Sequence, residues 1–407
     1  MREQGGRRVA VTGMGAVSSL GLGARAFTAA LREGRSGIGP IRQFDPEGFE
    51  RTRAGEVAGF RPHEHLKRIT PEEWGRSGRF AAAAAAMAAA DAGLAPEAPA
   101  LRDAASCFGT TNGESQIMED LAARALEGGA PALGSGGAAR ADAGGIAAAA
   151  AAELGLGGEA VVFGTACAAG NYAIAHGYDL VRSGEADAAV CGGADASNRA
   201  THAGFHRLGA LAEEVPRPFD THRDGIVTAE GGAALLLEPL EDALARGARV
   251  YAEVLGYGMT CDAVHMTNPD ADSIAACVRL AHADAGVRPE DVGYICAHGT
   301  GTRANDSTET AAVRAVFGDR PPPMSSIKSM LGHTMGAAAA FGAVASCAAL
   351  HEGFLPPTAT VREVDPELGP GADPVPQARP GRPRVVENHG FAFGGNNAIT
   401  LFGEVRP

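Results

Sequence analysis

The chain has little from which to build a covalent or metal-bound framework. Its seven cysteines, Cys107, Cys167, Cys191, Cys261, Cys277, Cys296 and Cys347, are odd in number, and no two are spaced as C-x-x-C. That pattern argues against a disulfide scaffold or a zinc site and fits a reducing, cytoplasmic setting. A basic excess is missing as well. The formal net charge of −13 argues against a nucleic-acid binder, although a local basic patch can still receive an acidic protein partner. No apolar run reads as a membrane span, because the Ala-rich stretch Ala81 to Ala90 is bounded by Arg79 and Asp91. Met1 to Arg8 lacks the apolar core of a secretory signal, so a cytoplasmic protein with no membrane partner is expected. Aromatic residues make up 5% of the chain, against 57 glycines. The core must therefore come from small side chains that let backbones approach closely.

What is present is an alternation of strand-like and helix-like segments that runs through the chain twice. In the first pass, Arg8 to Thr12 is a strand leading into the turn Gly13-Met-Gly15, and a helix is expected over 25–33. Residues 64–79, charged and interrupted by Pro71, read as a surface loop. Helices are expected over 80–92, 114–126 and 138–154, with a Gly/Pro-rich loop over 128–137. Strands over 104–108, 160–163, 188–191 and 230–237 complete this pass. The order then begins again, with strands over 250–257, 292–297, 384–388 and 398–403 and helices over 271–285, 307–317 and 334–351. Such alternation predicts an α/β fold with helix-covered sheets, in an N-terminal half (1–249) and a C-terminal half (250–407) that suggest duplication. Gly13-x-Gly15 could open a dinucleotide-binding turn. No acidic residue ends a second strand about 20 positions on, as that motif requires, so the reading is set aside.

Four Gly-flanked polar turns follow strand-like runs. The first is Gly164-Thr-Ala-Cys167, after Val161-Val-Phe163 and before a helix of small residues. A Cys among Ala and Gly is most often simply buried. At a helix N-terminus, free N–H groups and partial positive charge instead favour a thiolate. The other turns are His298-Gly-Thr-Gly-Thr302, Ser325 to Gly336 with Lys328 and His333, and His389 to Asn397 with Phe393-Gly-Gly. Two histidines, each at a strand-to-helix turn, are harder to assign to packing than one. His176, His202, His206, His222, His265, His282 and His351 show no metal-ligand spacing, His389 lies beside the last turn, and no metal is assigned.

Thr165-Ala-Cys167, His298-Gly-Thr-Gly-Thr302, Lys328-Ser-Met-Leu-Gly-His333 and Phe393-Gly-Gly, in that order, resemble the motifs of β-ketoacyl-acyl carrier protein synthases. The likeness is to the elongating, Cys-His-His type of the thiolase superfamily. It runs from Val11-Thr-Gly-Met-Gly-Ala-Val17 through Arg217-Pro-Phe-Asp-x-x-Arg-Asp-Gly225 to the last turn. The resemblance implies a thiolase fold, a duplicated five-layer αβαβα sandwich with two mixed sheets. It implies an acyltransferase that performs a decarboxylative Claisen condensation. An acyl group would pass from a carrier-protein phosphopantetheine to Cys167, and malonyl-carrier protein would lose CO₂ and attack the thioester. The N–H groups of Cys167 and Phe393 would form the oxyanion hole, and His298 and His333 would stabilise the enolate. Lys328 and Glu309 would hold the site's electrostatics, with Asp306 a structural hydrogen-bonder. Thr300 and Thr302 would bind the pantetheine arm, and Phe391 and Phe393 would flank the gating turn. No bound cofactor is implied. The implied partners are an acyl carrier protein and a second subunit, either another copy or a chain-length factor.

Within the superfamily, initiating synthases pair Cys with His and Asn, and thiolases use Cys-His-Cys. His333 places this chain with the elongating type, and Cys167 separates it from catalytically silent chain-length factors. Two departures bear on substrate. The acyl-pocket position, often a bulky aliphatic residue, falls at Asn112, and Ala392 stands where Gly is common. A polar pocket floor suits a saturated fatty chain poorly. The expectation is therefore a type II polyketide or polyene ketosynthase, with fatty-acid elongation as the alternative. Lys67, Arg68, Arg76 and Arg79 are expected to form the basic patch that docks the carrier protein.

Overall fold

Strand β1 (Val9–Ser18) is buried along its whole length, and the computed structural model, which describes residues 6–405, is arranged around it. Residues 1–5 and 406–407, which belong to the opening segment and to the outer ends of the two expected halves, lie outside the described residues. The strand runs straight through Gly13 and Gly15, where a turn was expected. The reason lies in the helix above it, α1 (Arg76–Asp91). A Cβ on Gly13 would lie 2.0 Å from the carbonyl oxygen of Ala88, and one on Gly15 1.9 Å from that of Ala84. These glycines serve helix-on-strand contact, and no phosphate-binding turn exists there.

Besides the short strand Gly21–Leu22, which pairs with its end, nine further strands join β1: β2 (Ala105–Gly109), β3 (Ala160–Phe163), β4 (Ala189–Asp195), β5 (Gly231–Pro239), β6 (Ala252–Cys261), β7 (Tyr294–Cys296), β8 (Met324–Ser325), β9 (Val385–Phe391) and β10 (Asn396–Gly403). Their spatial order is β3-β2-β4-β5-β1 followed by β6-β10-β9-β7-β8. Each set of five is mixed in the same way. Its first two contacts from the outer edge are parallel and its next two antiparallel. Chain order within each set is also identical, so the topology repeats where the residues do not. The two mixed half-sheets meet through β1 and β6, antiparallel, at Val9↔Val254, Ala10↔Glu253 and Val11↔Ala252.

The helices repeat with the strands. α1 and α3 (Gly145–Leu154) cover the outer face of the first half-sheet, and α5 (Ala271–Ala285) and α6 (Arg303–Phe317) that of the second. Between the sheets lie α4 (Ala169–Ser183) and α7 (Ala338–Glu352), giving the five layers. α7 is apolar on every side and buried nearly throughout, as a helix between two sheets must be. Small residues allow this spacing: a Cβ on Gly170 would meet the backbone nitrogen of Ala340 at 2.6 Å. α2 (Ser115–Gly128) has no buried residue.

Among the boundaries that differ from the sequence reading, two have a visible cause. α1 begins at Arg76 rather than Phe80, because Glu114 Oε1 and Oε2 accept the N–H groups of Gly78 (2.7 Å) and Ser77 (3.2 Å) in its first turn. The expected helix 138–154 is broken before Gly145, where Asp142 turns back onto the Gly144 N–H at 2.9 Å. Among the described residues no helix is long and apolar enough to cross a membrane.

Candidate active site

β3 delivers the chain to Ala166, whose φ of +49° is a left-handed conformation for a residue with a Cβ. Cys167 follows, in a single 3₁₀ turn that runs into α4. Strain of this kind persists where the surrounding packing fixes it. Cys167 opens onto a cavity also lined by His298, His333, Thr300, Thr302, Phe391 and Phe393. The sequence-selected residues of four separate turns therefore share one chamber. Burial pushes the Cys167 thiol up to about 12, only partly opposed by the charge of Lys328. Burial in this low-dielectric chamber thus opposes the thiolate that the helix start favours.

The two imidazoles stand 5.6 Å apart, ring to ring, at an interplanar angle of 81°. His333 Nδ1 accepts the N–H of Met335 at 3.1 Å. His298 Nδ1 faces the Lys328 ammonium at 3.5 Å, and that ammonium also donates to the His298 carbonyl oxygen. With both Nδ1 atoms occupied as acceptors, both protons reside on Nε2. Burial, followed by the charge of Lys328, holds both imidazoles well below their ordinary value, so they are neutral at physiological pH. The arrangement presents neutral Nε2–H donors, suited to an oxygen that gains charge during reaction. His333 is clamped to the N-terminal half as well: its N–H donates to Val227 O (2.7 Å), and its carbonyl accepts from Ala229 N–H (2.9 Å).

Behind the histidines lies a buried chain of charges. Glu309 accepts the N–H groups of His298 and Gly299, each at 2.8 Å, and also hydrogen-bonds His389 Nδ1 at 3.0 Å. Burial alone would raise its pKa, but His389 and the two backbone donors outweigh it and keep Glu309 ionised. Burial lowers the Lys328 pKa, with Glu309 the strongest opposing influence. On its far side, His389 Nε2 meets Glu387 at 2.9 Å, and Glu387 in turn contacts His282 Nε2. The sequence reading left His389, Glu387 and His282 unassigned. A signal existed: Glu387 and His389 stand two apart on β9, on one face of a strand that is buried throughout.

The remaining expected residues divide. Thr300 and Thr302 line the chamber with their hydroxyls 2.9 Å apart, and Thr302 also caps α6 through Asn305. Asp306 gathers the N–H groups of Thr300, Gly301 and Phe219. Phe393 is partly exposed at the mouth, tilted against Phe205 at 5.8 Å. Asn112 is not among the residues lining the chamber: its N–H is bound to Asp195 at 2.9 Å, and its side-chain nitrogen is buried without a partner among the described residues. The residues of the expected basic patch differ in what they hold. Arg76 forms a double hydrogen bond with buried Glu230 (2.8 and 2.6 Å), and Arg79 is bound to the carbonyls of Pro71 and Trp74. Both are committed to internal structure. Arg68 pairs with Glu97, and Lys67 is exposed with its ammonium donating to His63 O.

Family models match the chain as the β-ketoacyl synthase N-terminal domain over residues 6–243 and its C-terminal domain over 251–362. The chain is 38% identical to 3-oxoacyl-[acyl-carrier-protein] synthase 2 of Synechocystis sp., over 97% of this chain and 98% of that protein. Among solved structures it is similar to the ishigamide ketosynthase/chain length factor, with 48% identity, TM-score 0.95, and 99% and 100% of the two chains covered. It is also similar to a type II PKS acyl-carrier protein in complex with its ketosynthase bound to the hexaketide, at 30% identity and TM-score 0.90, covering 98% and 100%.

Proposed function

Because the chain belongs to the β-ketoacyl synthase family, an acyltransferase family, we propose that it joins an acyl group held on Cys167 to malonyl-acyl carrier protein by decarboxylative condensation. The observation that carries this reading is one chamber holding a buried thiol and two neutral imidazoles with Nε2–H donors. In the first step the acyl group passes from a pantetheine sulfur to Cys167 Sγ, and the cysteine's proton ends on the departing pantetheine thiol. Malonyl thioester then takes its place, with Thr300 and Thr302 beside the pantetheine arm. It loses CO₂, and the electron pair moves onto the thioester oxygen as an enolate facing His298 and His333. The enolate carbon attacks the acyl-Cys167 carbonyl, whose oxygen turns to the N–H groups of Cys167 and Phe393. Collapse releases β-ketoacyl-carrier protein and Sγ, which takes up a proton. No bound cofactor enters these steps.

The reading extends to type II polyketide assembly in the cytoplasm, with a chain-length factor as second subunit. Its support is the likeness to the ishigamide ketosynthase/chain length factor, which exceeds that to the Synechocystis fatty-acid type enzyme. The test supplies the purified chain, alone and co-expressed with a chain-length factor, with acyl-loaded and malonyl-loaded carrier protein. Mass spectrometry should find acyl-Cys167 and repeated extension that depends on the second subunit. Efficient elongation of a saturated chain by the protein alone would favour fatty-acid synthesis. Absence of any new carbon–carbon bond in both preparations would overturn the condensing function.

A further inference from the structure

His389 bridges two buried carboxylates. Its Nδ1 lies 3.0 Å from Glu309 Oε1 and its Nε2 2.9 Å from Glu387 Oε2. His389, Glu309 and Glu387 all have side chains closed to solvent. An ionised carboxylate only accepts, so both ring nitrogens must donate, and the ring is an imidazolium. Two features aim it at the chemistry. Glu309 Oε1, which it touches, is the same oxygen that receives the His298 N–H, and Glu309 Oε2 receives that of Gly299. The His389 ring also packs 5.2 Å from Phe391, whose ring lies 5.7 Å from that of His298. His389 therefore braces His298 through its backbone and through its ring. Glu387 holds the other end, anchored on α5 by His282.

We propose that His389, oriented by Glu387 and His282, is a positioning residue for malonyl decarboxylation, acting through Glu309 on the loop that carries His298. This inference rests on the condensation reading above. Cys167 is held by a different strand and helix, β3 and α4, with which His389, Glu387 and His282 form no hydrogen bond among those described. The brace should therefore affect one half-reaction and spare the other.

The experiment compares wild type with Glu387→Gln, His389→Gln and the double variant, each checked for a cooperative unfolding transition well above the assay temperature. Acylation of Cys167 is read from intact-protein mass, and decarboxylation from CO₂ release on malonyl-carrier protein. The expected result is a fall of about tenfold to a hundredfold in the kcat of decarboxylation, with Cys167 acylation within about twofold of wild type. The Glu387 substitution should add little once His389 is already Gln, because the first acts through the second. Parallel loss of both half-reactions, no loss in either, or fully additive effects would each overturn the inference. Glu387→Gln preserves shape and a hydrogen-bond acceptor, so it keeps the test informative if His389→Gln does not fold. A wild-type protein that neither acylates nor decarboxylates would overturn the condensation reading together with this one. A competent wild type with unaffected variants overturns this one alone.

Discussion

The N-terminal half carries Gly164-Thr165-Ala166-Cys167 at the start of α4, and the C-terminal half carries His333-Thr334-Met335-Gly336 at the start of α7. The two tetrads are superimposable in backbone logic. Ala166 and Met335 both sit at positive φ, +49° and +52°, and both are followed by a 3₁₀ turn into a central helix. They differ in where chemistry is placed. The N-terminal tetrad ends on a cysteine thiol, and the C-terminal one begins on an imidazole. The N–H of Gly336, counterpart of Cys167, is tied to the Asp195 carboxylate at 2.6 Å. A duplicated frame thus supports two different jobs. One copy presents sulfur to the chamber, and the other spends its equivalent position on holding the halves together.

This division can be broken most forcefully at its two reactive groups. Cys167→Ala should lower condensation on the order of 10⁴-fold or more while malonyl decarboxylation persists. His333→Asn should do the reverse, cutting decarboxylation by about 10²- to 10³-fold with Cys167 still acylated. Intact mass and CO₂ release follow both, and loss of both activities in either variant would end the idea of divided labour. A smaller effect is expected at the silent counterpart. A Cβ on Gly336 would fall 2.5 Å from the backbone of Thr110, so Gly336→Ala should cost about 1–3 kcal/mol of stability. A denaturant midpoint equal to that of wild type would mean that the elbow has slack. The gentlest test is pH. Glu309 and Glu387 raise His389 to about 9 against the burial that lowers it, from an ordinary value of 6.5. Its contribution to stability is then fully present below 6.5 and is lost as pH rises through about 9. His389→Gln should flatten that part of the stability profile, and an unchanged slope would count against the bridging geometry.

Cys167, His298 and His333 were legible in the sequence because each lies in a short strand-to-helix turn whose glycines and flanking elements are local. The repeat of α/β order was legible for the same reason. What lay hidden depends on residues far apart in the chain. Arg76 looked like a free surface cation because its partner, Glu230, is 154 positions away. Gly13 and Gly15 looked like a turn because the backbone that demands them belongs to α1. The hold of Asp195 on the N–H groups of Thr111 and Asn112, 84 and 83 positions away, was equally invisible. The helix start behind Cys167 could be read from sequence, but the depth of its burial could not, and burial sets the protonation of the thiol.

That protonation has a bearing on durability. A thiolate attacks peroxide, giving sulfenic acid, and haloacetamides, giving a thioether, so burial that disfavours the anion slows both reactions. Cys261, exposed on the surface, meets such reagents without passing through the chamber. Cys167 is thus shielded by the burial its chamber imposes, a protection that the exposed Cys261 does not share.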